Sequence, residues 1–201
     1  MGTITADQVK QLREKTGVGM MECKAALTEA NGNIDEAVTL LRKRGLAQAA
    51  KRAGRTTAQG LIGSYLHMGG KIGVLVELNC ESDFVARTDD FQNLLKEVAM
   101  HIAAANPSWV RREDVPAEAI ERERGIYRAQ MENSGKPAAV LDKIVEGKLG
   151  SFYSQFVLLD QPSIRDGSVS IGQLLAQATA KTGENIQIGR FVRFRVGEGV
   201  E

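Results

Sequence analysis

The sequence predicts an α+β fold: three short helices, a β-hairpin, several further helices and one closing strand. Three observations carry this. Apolar residues recur at helical spacing behind capping patterns over residues 1–45. Ile72, Val74, Val76 and Leu78 alternate just after a Gly-Gly pair, and Ile186, Ile188, Val192, Phe194 and Val196 alternate near the far end. A hairpin and a late strand make an antiparallel sheet whose third member arrives from the other end of the chain.

The elements follow in order. In "TADQ" (Thr5 to Gln8) the Thr5 hydroxyl can satisfy one free amide while Gln8 reaches back, and Val9 and Leu12 then share a face. "TGVG" interrupts. Met20, Cys23, Leu27 and Ala30 stack on a second helix, which "NGN" ends through a left-handed Gly32. Asn33 and Glu36 repeat the capping pattern, and Ile34, Ala37, Val38 and Leu41 form the third apolar face. Arg42, Lys43 and Arg44 fall in its last turn, where cations suit the helix dipole, and Gly45 closes it. Residues 46–60 read as a basic, Ala-rich connector, helical as far as Ala53, and residues 61–201 as a sheet-containing core.

Within that core, "GLIGSYLH" and "KIGVLVELNC" form the hairpin through "MGG", since paired glycines permit the positive φ angles of a tight turn. Phe91, Leu94, Leu95, Val98 and Ile102 make one helical stripe, stopped by "NPSW". Glu118 to Met131 is a charged helix broken by "NSGKP". Ala138 to about Leu159 supplies one or two more, and "SIGQ" opens another that runs to about Lys181. The strand "ENIQIGRFVRFRVG" closes the fold.

Composition narrows the function. The chain has 201 residues, 43% apolar and 25% charged, with a net charge of +1, which argues against a surface built wholly for nucleic acid. Two cysteines, Cys23 and Cys80, make neither a disulfide framework nor a zinc site, so a reduced, cytoplasmic setting is expected. The N-terminal residues lack the apolar stretch of a signal peptide, and no run approaches the roughly 18 apolar residues of a membrane span. No phosphate loop is present: Tyr65 stands where its first glycine belongs, and Ile72 follows Lys71 where Ser or Thr should hold magnesium. His67, in the hairpin, and His101, on a helix surface or half buried, have no acid or nucleophile at triad spacing. From Glu36 to Glu77 no acid intervenes while Arg42, Lys43, Arg44, Lys51, Arg52 and Arg55 accumulate. Such a stretch can track phosphates, but it lacks aromatic stacking platforms before Tyr65, and a solvated connector is the simpler reading.

"NCESDFVAR" (Asn79 to Arg87) raises the sharper question. Phe84 follows Asp83 at a bend that Ser82 can cap, so the ring is either core or held out for another molecule. Met20 and Met21 pose the same choice. Adjacent helical residues cannot both face one core, so one packs inward and the other faces solvent or a partner.

The stretches "LREKTGVGMMECKAALTEANGNIDEAVTLLRKRG" and "VELNCESDFVAR", with "EGKLGSFYSQFVLLDQPSI" and "TGENIQIGRFVRFRVGEG", closely resemble the translation elongation factor Ts family in its short-chain form, over nearly all 201 residues. Ser82 stands where the family usually has Thr, and both carry a capping hydroxyl. The resemblance implies a guanine nucleotide exchange factor for the GTPase elongation factor Tu, with no covalent chemistry and no cofactor of its own. It implies that residues 1–45 are a ubiquitin-associated-like module docking the GTPase through Arg13, Gly17, Gly19, Met20 and Met21. It implies too that Ser82, Asp83, Phe84 and Val85 disturb the partner's magnesium site. Only one hairpin and one closing strand are found, and short members of the family pair up, so a homodimer is expected, with no membrane and no specific nucleic acid as partners. The competing expectations are a binding module without exchange activity and an RNA-binding protein that uses the basic connector.

Overall fold

A computed structural model of the chain describes residues 4–67, 69–131 and 137–199. Among them the elements run α1 (Ala6–Thr16), α2 (Met20–Glu29), α3 (Ile34–Arg52), β1 (Gln59–Leu66), β2 (Ile72–Cys80), α4 (Asp83–Ala86), α5 (Asp89–Ala105), α6 (Ala117–Met131), α7 (Ala138–Phe156), α8 (Ile171–Thr182) and β3 (Gln187–Arg195). The strands form one antiparallel sheet in the order β1-β2-β3, so the expected α+β architecture and the late third strand are both present. The expected break at "NSGKP" lies mostly outside the described residues.

The chain divides into two compact units. The first comprises the stretch ending at Leu61, Leu78–Leu94 and Gln173–Gln187. In it, α1 opens with the anticipated capping box: Thr5 accepts from the Gln8 amide while Gln8 accepts from the Thr5 amide. Val9, Leu12, Cys23, Ala26, Leu27, Ala37 and Leu41 form the core of α1–α3, with Ile34 and Val38 against its edge. At the end of α2 the Gly32 amide bonds the Leu27 carbonyl at 2.8 Å and the Asn31 amide bonds that of Thr28 at 3.2 Å. That pattern is a Schellman motif, and Asn31 (φ 50°) takes its left-handed position, with Gly32 following.

Helix α3 does not stop at Gly45. It continues to Arg52, so Arg42, Lys43 and Arg44 lie mid-helix and Lys51 and Arg52 occupy the last turn. Gly45 is buried, and a Cβ there would sit 3.4 Å from the Ala180 methyl of α8. A small residue is kept for close helix packing, at the usual cost of roughly 1 kcal/mol in helix propensity.

The second unit holds Ile62–Glu77, Leu95–Gly172 and the stretch from Ile188 onward. Gly69 and Gly70 take φ of 85° and 67° in the hairpin turn, as the sequence requires. A Cβ on Gly63 would meet the Leu95 side chain at 2.6 Å, and the Arg193 guanidinium donates to the Ala103 carbonyl at 3.3 Å, so α5 lies along one face of the sheet. Val115, Phe152 and Val157 make a second cluster with Trp109, Ile120 and Phe156 packed on it. Arg124–Glu146 and Arg128–Asp142 pairs cross between α6 and α7.

The closing strand departs from expectation. Ile186 and Ile188 are buried, but Val192, Phe194 and Val196 are exposed, Phe194 at 70%. They share the uncovered side of this unit with Ile62 and Leu66 of β1 and Leu75 of β2. The alternation therefore does not mark one buried face: its first two members are covered and its last three are not.

His101 is buried completely rather than lying at the surface. Gln161 donates its amide hydrogens to the carbonyls of Gln155 (2.7 Å) and Ala105 (3.5 Å), so its Oε1 accepts from His101 Nε2 at 2.9 Å. Burial holds His101 below its ordinary value of 6.5. As pH falls from about 6.5 toward 5, the unfolded chain takes up a proton that the folded chain does not, and stability is lost. Thermal melts between pH 8 and 5 should show wild type losing Tm more steeply than His101→Gln; parallel slopes would contradict this.

Candidate functional site

Phe84 belongs to a single turn of helix, and the turn is built from its first residue. Ser82 is extended (φ −131°, ψ 156°), and its Oγ accepts from the Val85 amide at 3.4 Å, the N-cap anticipated for it. Ala86 is buried and anchors the inner side. Thr88 then donates its hydroxyl to the Val85 carbonyl at 2.7 Å and accepts from the Phe91 amide at 3.3 Å, leading directly into α5. The cap, the buried Ala86 and the Thr88 bonds together place Phe84 on the outer side of the turn. Its ring is 78% exposed, so it is displayed and is not core.

Asp83 pairs with Arg87 one turn on, at 2.7 Å. Both side chains are at least half exposed or nearly so, and such surface pairs contribute about 0.2–1 kcal/mol, so Asp83 can exchange Arg87 for another cation at little cost. Val85 is half-buried beside it.

Beneath the turn lies a network that reading the sequence did not find. Glu184, read as the start of the last strand, precedes β3. Its carboxylate accepts from the Ser82 amide at 3.0 Å and from the Ser82 hydroxyl at 2.6 Å. Buried Cys80 donates its thiol to the Ser82 carbonyl at 3.0 Å. Burial, and then the negative charge of Glu184, push that thiol above its ordinary value. The only signal in the sequence was an acid-amide pair, Glu184-Asn185, ahead of an apolar alternation, and nothing local ties it to Ser82.

The second set of sequence-derived residues lies between α1 and α2, in the same compact unit. Gly17 caps α1 at φ 69°, its amide bonding the Arg13 carbonyl at 2.7 Å. A side chain there would be strained, and its Cβ would approach Lys181 to 3.1 Å. Gly19, the N-cap of α2, has φ −58° and open space, so glycine is not demanded there. Arg13 is exposed. Met20 and Met21 are 57% and 78% exposed. Neither packs inward, because Cys23, Ala26 and Leu27 already fill the inner face of α2. Met21 instead borders a cavity of about 230 Å³ lined by Val18, Ala25, Leu41, Gly45 and Ala180.

Phe84, on a short capped turn, and Met20 and Met21, at the start of α2, are large apolar side chains held outward, and such exposed groups fit contact with another macromolecule. Among the described residues no group of acids, histidines and cysteines is placed to hold a metal ion, and no helix is long and apolar enough to cross a membrane. A family model described as elongation factor Ts matches residues 3–198. The chain is 60% identical over 195 residues to the elongation factor Ts of Fervidobacterium nodosum, covering 97% of this chain and 99% of that one. It is 57% identical to that of Caldanaerobacter subterraneus subsp. tengcongensis (98% and 99% covered) and 56% identical to that of Desulfosudis oleivorans (98% and 100%). The chain belongs to the elongation factor Ts family, a family of translation elongation factors.

Removing the Ser82 hydroxyl deletes a helix cap and a hydrogen bond to a charged group. Ser82→Ala should destabilise the protein by about 1–3 kcal/mol in urea unfolding, whereas Ser82→Thr should stay within about 0.5 kcal/mol of wild type.

Proposed function

We propose that this protein is a cytoplasmic guanine nucleotide exchange factor for elongation factor Tu, acting by binding, with no covalent step and no cofactor of its own. It engages the GDP-bound GTPase, disturbs its magnesium site with Asp83 and Phe84, releases GDP and stabilises the empty form until GTP enters. The observation that carries this reading is the exposure of Phe84 on a turn capped by Ser82.

Magnitudes divide the labour. Loosening a nucleotide by about a thousand- to ten-thousandfold takes roughly 4 to 5.5 kcal/mol. Burying one Phe side chain yields about 1.5–3 kcal/mol, so the wedge needs help. Residues 1–45, read as a ubiquitin-associated-like docking module, supply it through Met20 and Met21. Their unbranched thioethers adapt to a partner's groove, and Arg13 and the Gly17–Gly19 loop frame them. These contacts must be stronger with the empty GTPase than with the nucleotide-bound one, and by linkage nucleotide then expels the factor. Asp83 competes for polar groups near the ion, and magnesium is an efficient point of attack because it bridges phosphate oxygens that otherwise repel.

Assembly follows from the open side of the second unit. Ile62, Leu66, Leu75, Val192 and Phe194 leave apolar surface in water, and a second copy of the chain is the occupant this reading assigns to it. Residues 61–201 thus serve both exchange and dimerisation, and residues 46–60 join them to the docking module.

Two measurements test this. Wild-type protein should accelerate release of a fluorescent GDP analogue from elongation factor Tu, and Phe84→Ala should lose most of that acceleration, about tenfold or more. Undiminished exchange by Phe84→Ala overturns the wedge. Sedimentation equilibrium should return the mass of two chains, and Phe194→Glu should shift it toward one; one chain's mass for wild type contradicts the dimer.

A further inference from the structure

Two neighbouring polar residues ahead of β3 tie together segments more than a hundred residues away in sequence. Glu184 holds Ser82 by main chain and side chain at once, through bonds of 3.0 and 2.6 Å. Asn185, which is buried, donates its own amide to Glu81 Oε1 at 2.7 Å. Its side chain donates to the carbonyls of Ala53 (3.3 Å) and Arg55 (2.9 Å), just past the end of α3. Gln187 adds a bond to the Ala53 carbonyl at 2.9 Å, and Arg55 reaches Glu81 at 3.5 Å. The pair is itself held: the Glu184 amide donates to Thr182 Oγ1 and the Ile186 amide to Thr179 Oγ1, both at 3.3 Å.

An N-cap needs only the serine hydroxyl. Adding a carboxylate beneath it gives Ser82 two further bonds, to a charged acceptor, and sets a negative charge near the Cys80 thiol. What it adds is direction. Phe84 makes so few contacts of its own that its orientation is inherited from the turn, and the turn inherits its orientation from Ser82. Bonds to a charged acceptor are about twice as strong as neutral ones, which stiffens the one residue that aims the ring. Ordering a contact group beforehand removes part of the entropy otherwise lost on binding.

We infer that Glu184 is a positioning residue for Phe84, and that Asn185 ties the same turn to the end of α3, so that the ring and the docking helices meet the partner in fixed register. This rests on the exchange-factor reading above. The effect should fall on the maximal exchange rate, where the ring acts, and spare the half-saturating concentration, which the methionine surface governs.

The test is stopped-flow release of a fluorescent GDP analogue from elongation factor Tu, across a range of factor concentrations. Wild type, Glu184→Ala, Glu184→Gln, Phe84→Ala and the double variant Phe84→Ala/Glu184→Ala are compared. Glu184→Ala should lower the maximal rate about tenfold, the worth of one hydrogen bond to a charged group, with half-saturation changed by less than about twofold. Glu184→Gln, which keeps one acceptor oxygen, should recover part of the loss. In the Phe84→Ala background, Glu184→Ala should cost nothing further, because the ring through which it acts is gone. A further loss in that background of the same size overturns the inference, since it marks a role in folding alone. Wild-type exchange by Glu184→Ala alongside slow exchange by Phe84→Ala also overturns it, while leaving the wedge intact. Wild-type exchange by Phe84→Ala overturns the reading on which the inference stands. Should Glu184→Ala fail to fold by circular dichroism, Glu184→Gln and its double with Phe84→Ala decide by the same comparison.

Discussion

The bond between the Glu184 carboxylate and Ser82 is the constraint on which the working surface depends. A turn of four residues has too few internal hydrogen bonds to hold itself, because nucleating a helix costs more than one turn returns. The 83–86 turn is therefore held from outside: by the cap at Ser82, by the buried Ala86 and by the Thr88 bridge into α5. Of these the cap alone determines where the first residues point. A carboxylate that accepts both hydrogens of Ser82 leaves it a single orientation, and the Phe84 ring is carried with it.

Displaying apolar side chains in water forfeits burial worth about 1.5–3 kcal/mol each, so the remaining core must carry the stability. In the first unit this shows in the economy of α1–α3, where Leu12, Cys23, Ala26, Leu27 and Ala37 are wholly buried and leave the methionines nothing to pack against. In the second unit one side of the sheet has α5 along it and the other keeps Leu66 and Phe194 in solvent. An outward Phe84, an outward methionine pair and an open side of the sheet are three separate concessions of stability. Each fits the proposed reading, in which another chain restores the burial.

Much of this was legible in the sequence, and the rest was not for identifiable reasons. Thr5, Asn33 and Ser82 act locally, as caps on amides two or three residues away, although Glu36 does not complete the box with Asn33, whose amide bonds the Ala30 carbonyl instead. The stripe from Phe91 to Ile102 and the alternation from Val74 to Leu78 report burial directly because each has one covered face. Gly45 was misread, since a glycine that ends a helix and one that admits the Ala180 methyl look alike without the neighbouring helix. Val192 and Phe194 show the complementary limit: period two identifies a face without saying whether anything covers it. Met20 was assigned to a core that smaller residues had already filled. Glu184 and Asn185 were absorbed into a strand because their partners, Ser82 and Glu81, lie 102 and 104 residues away. The exposed residues and the Ser82 cap were legible, and Glu184 and Asn185, which hold the segment around that cap from a distance, were not.

On this reading Phe84 is aimed before any partner arrives. Backbone amide relaxation by NMR across residues 82–86 of the free protein tests it most directly. Order parameters near about 0.85, equal to those of α5, are the expected result. Values below about 0.6 for Asp83, Phe84 and Val85 would mean that the turn samples many directions unaided, and the account of a preset wedge would fail.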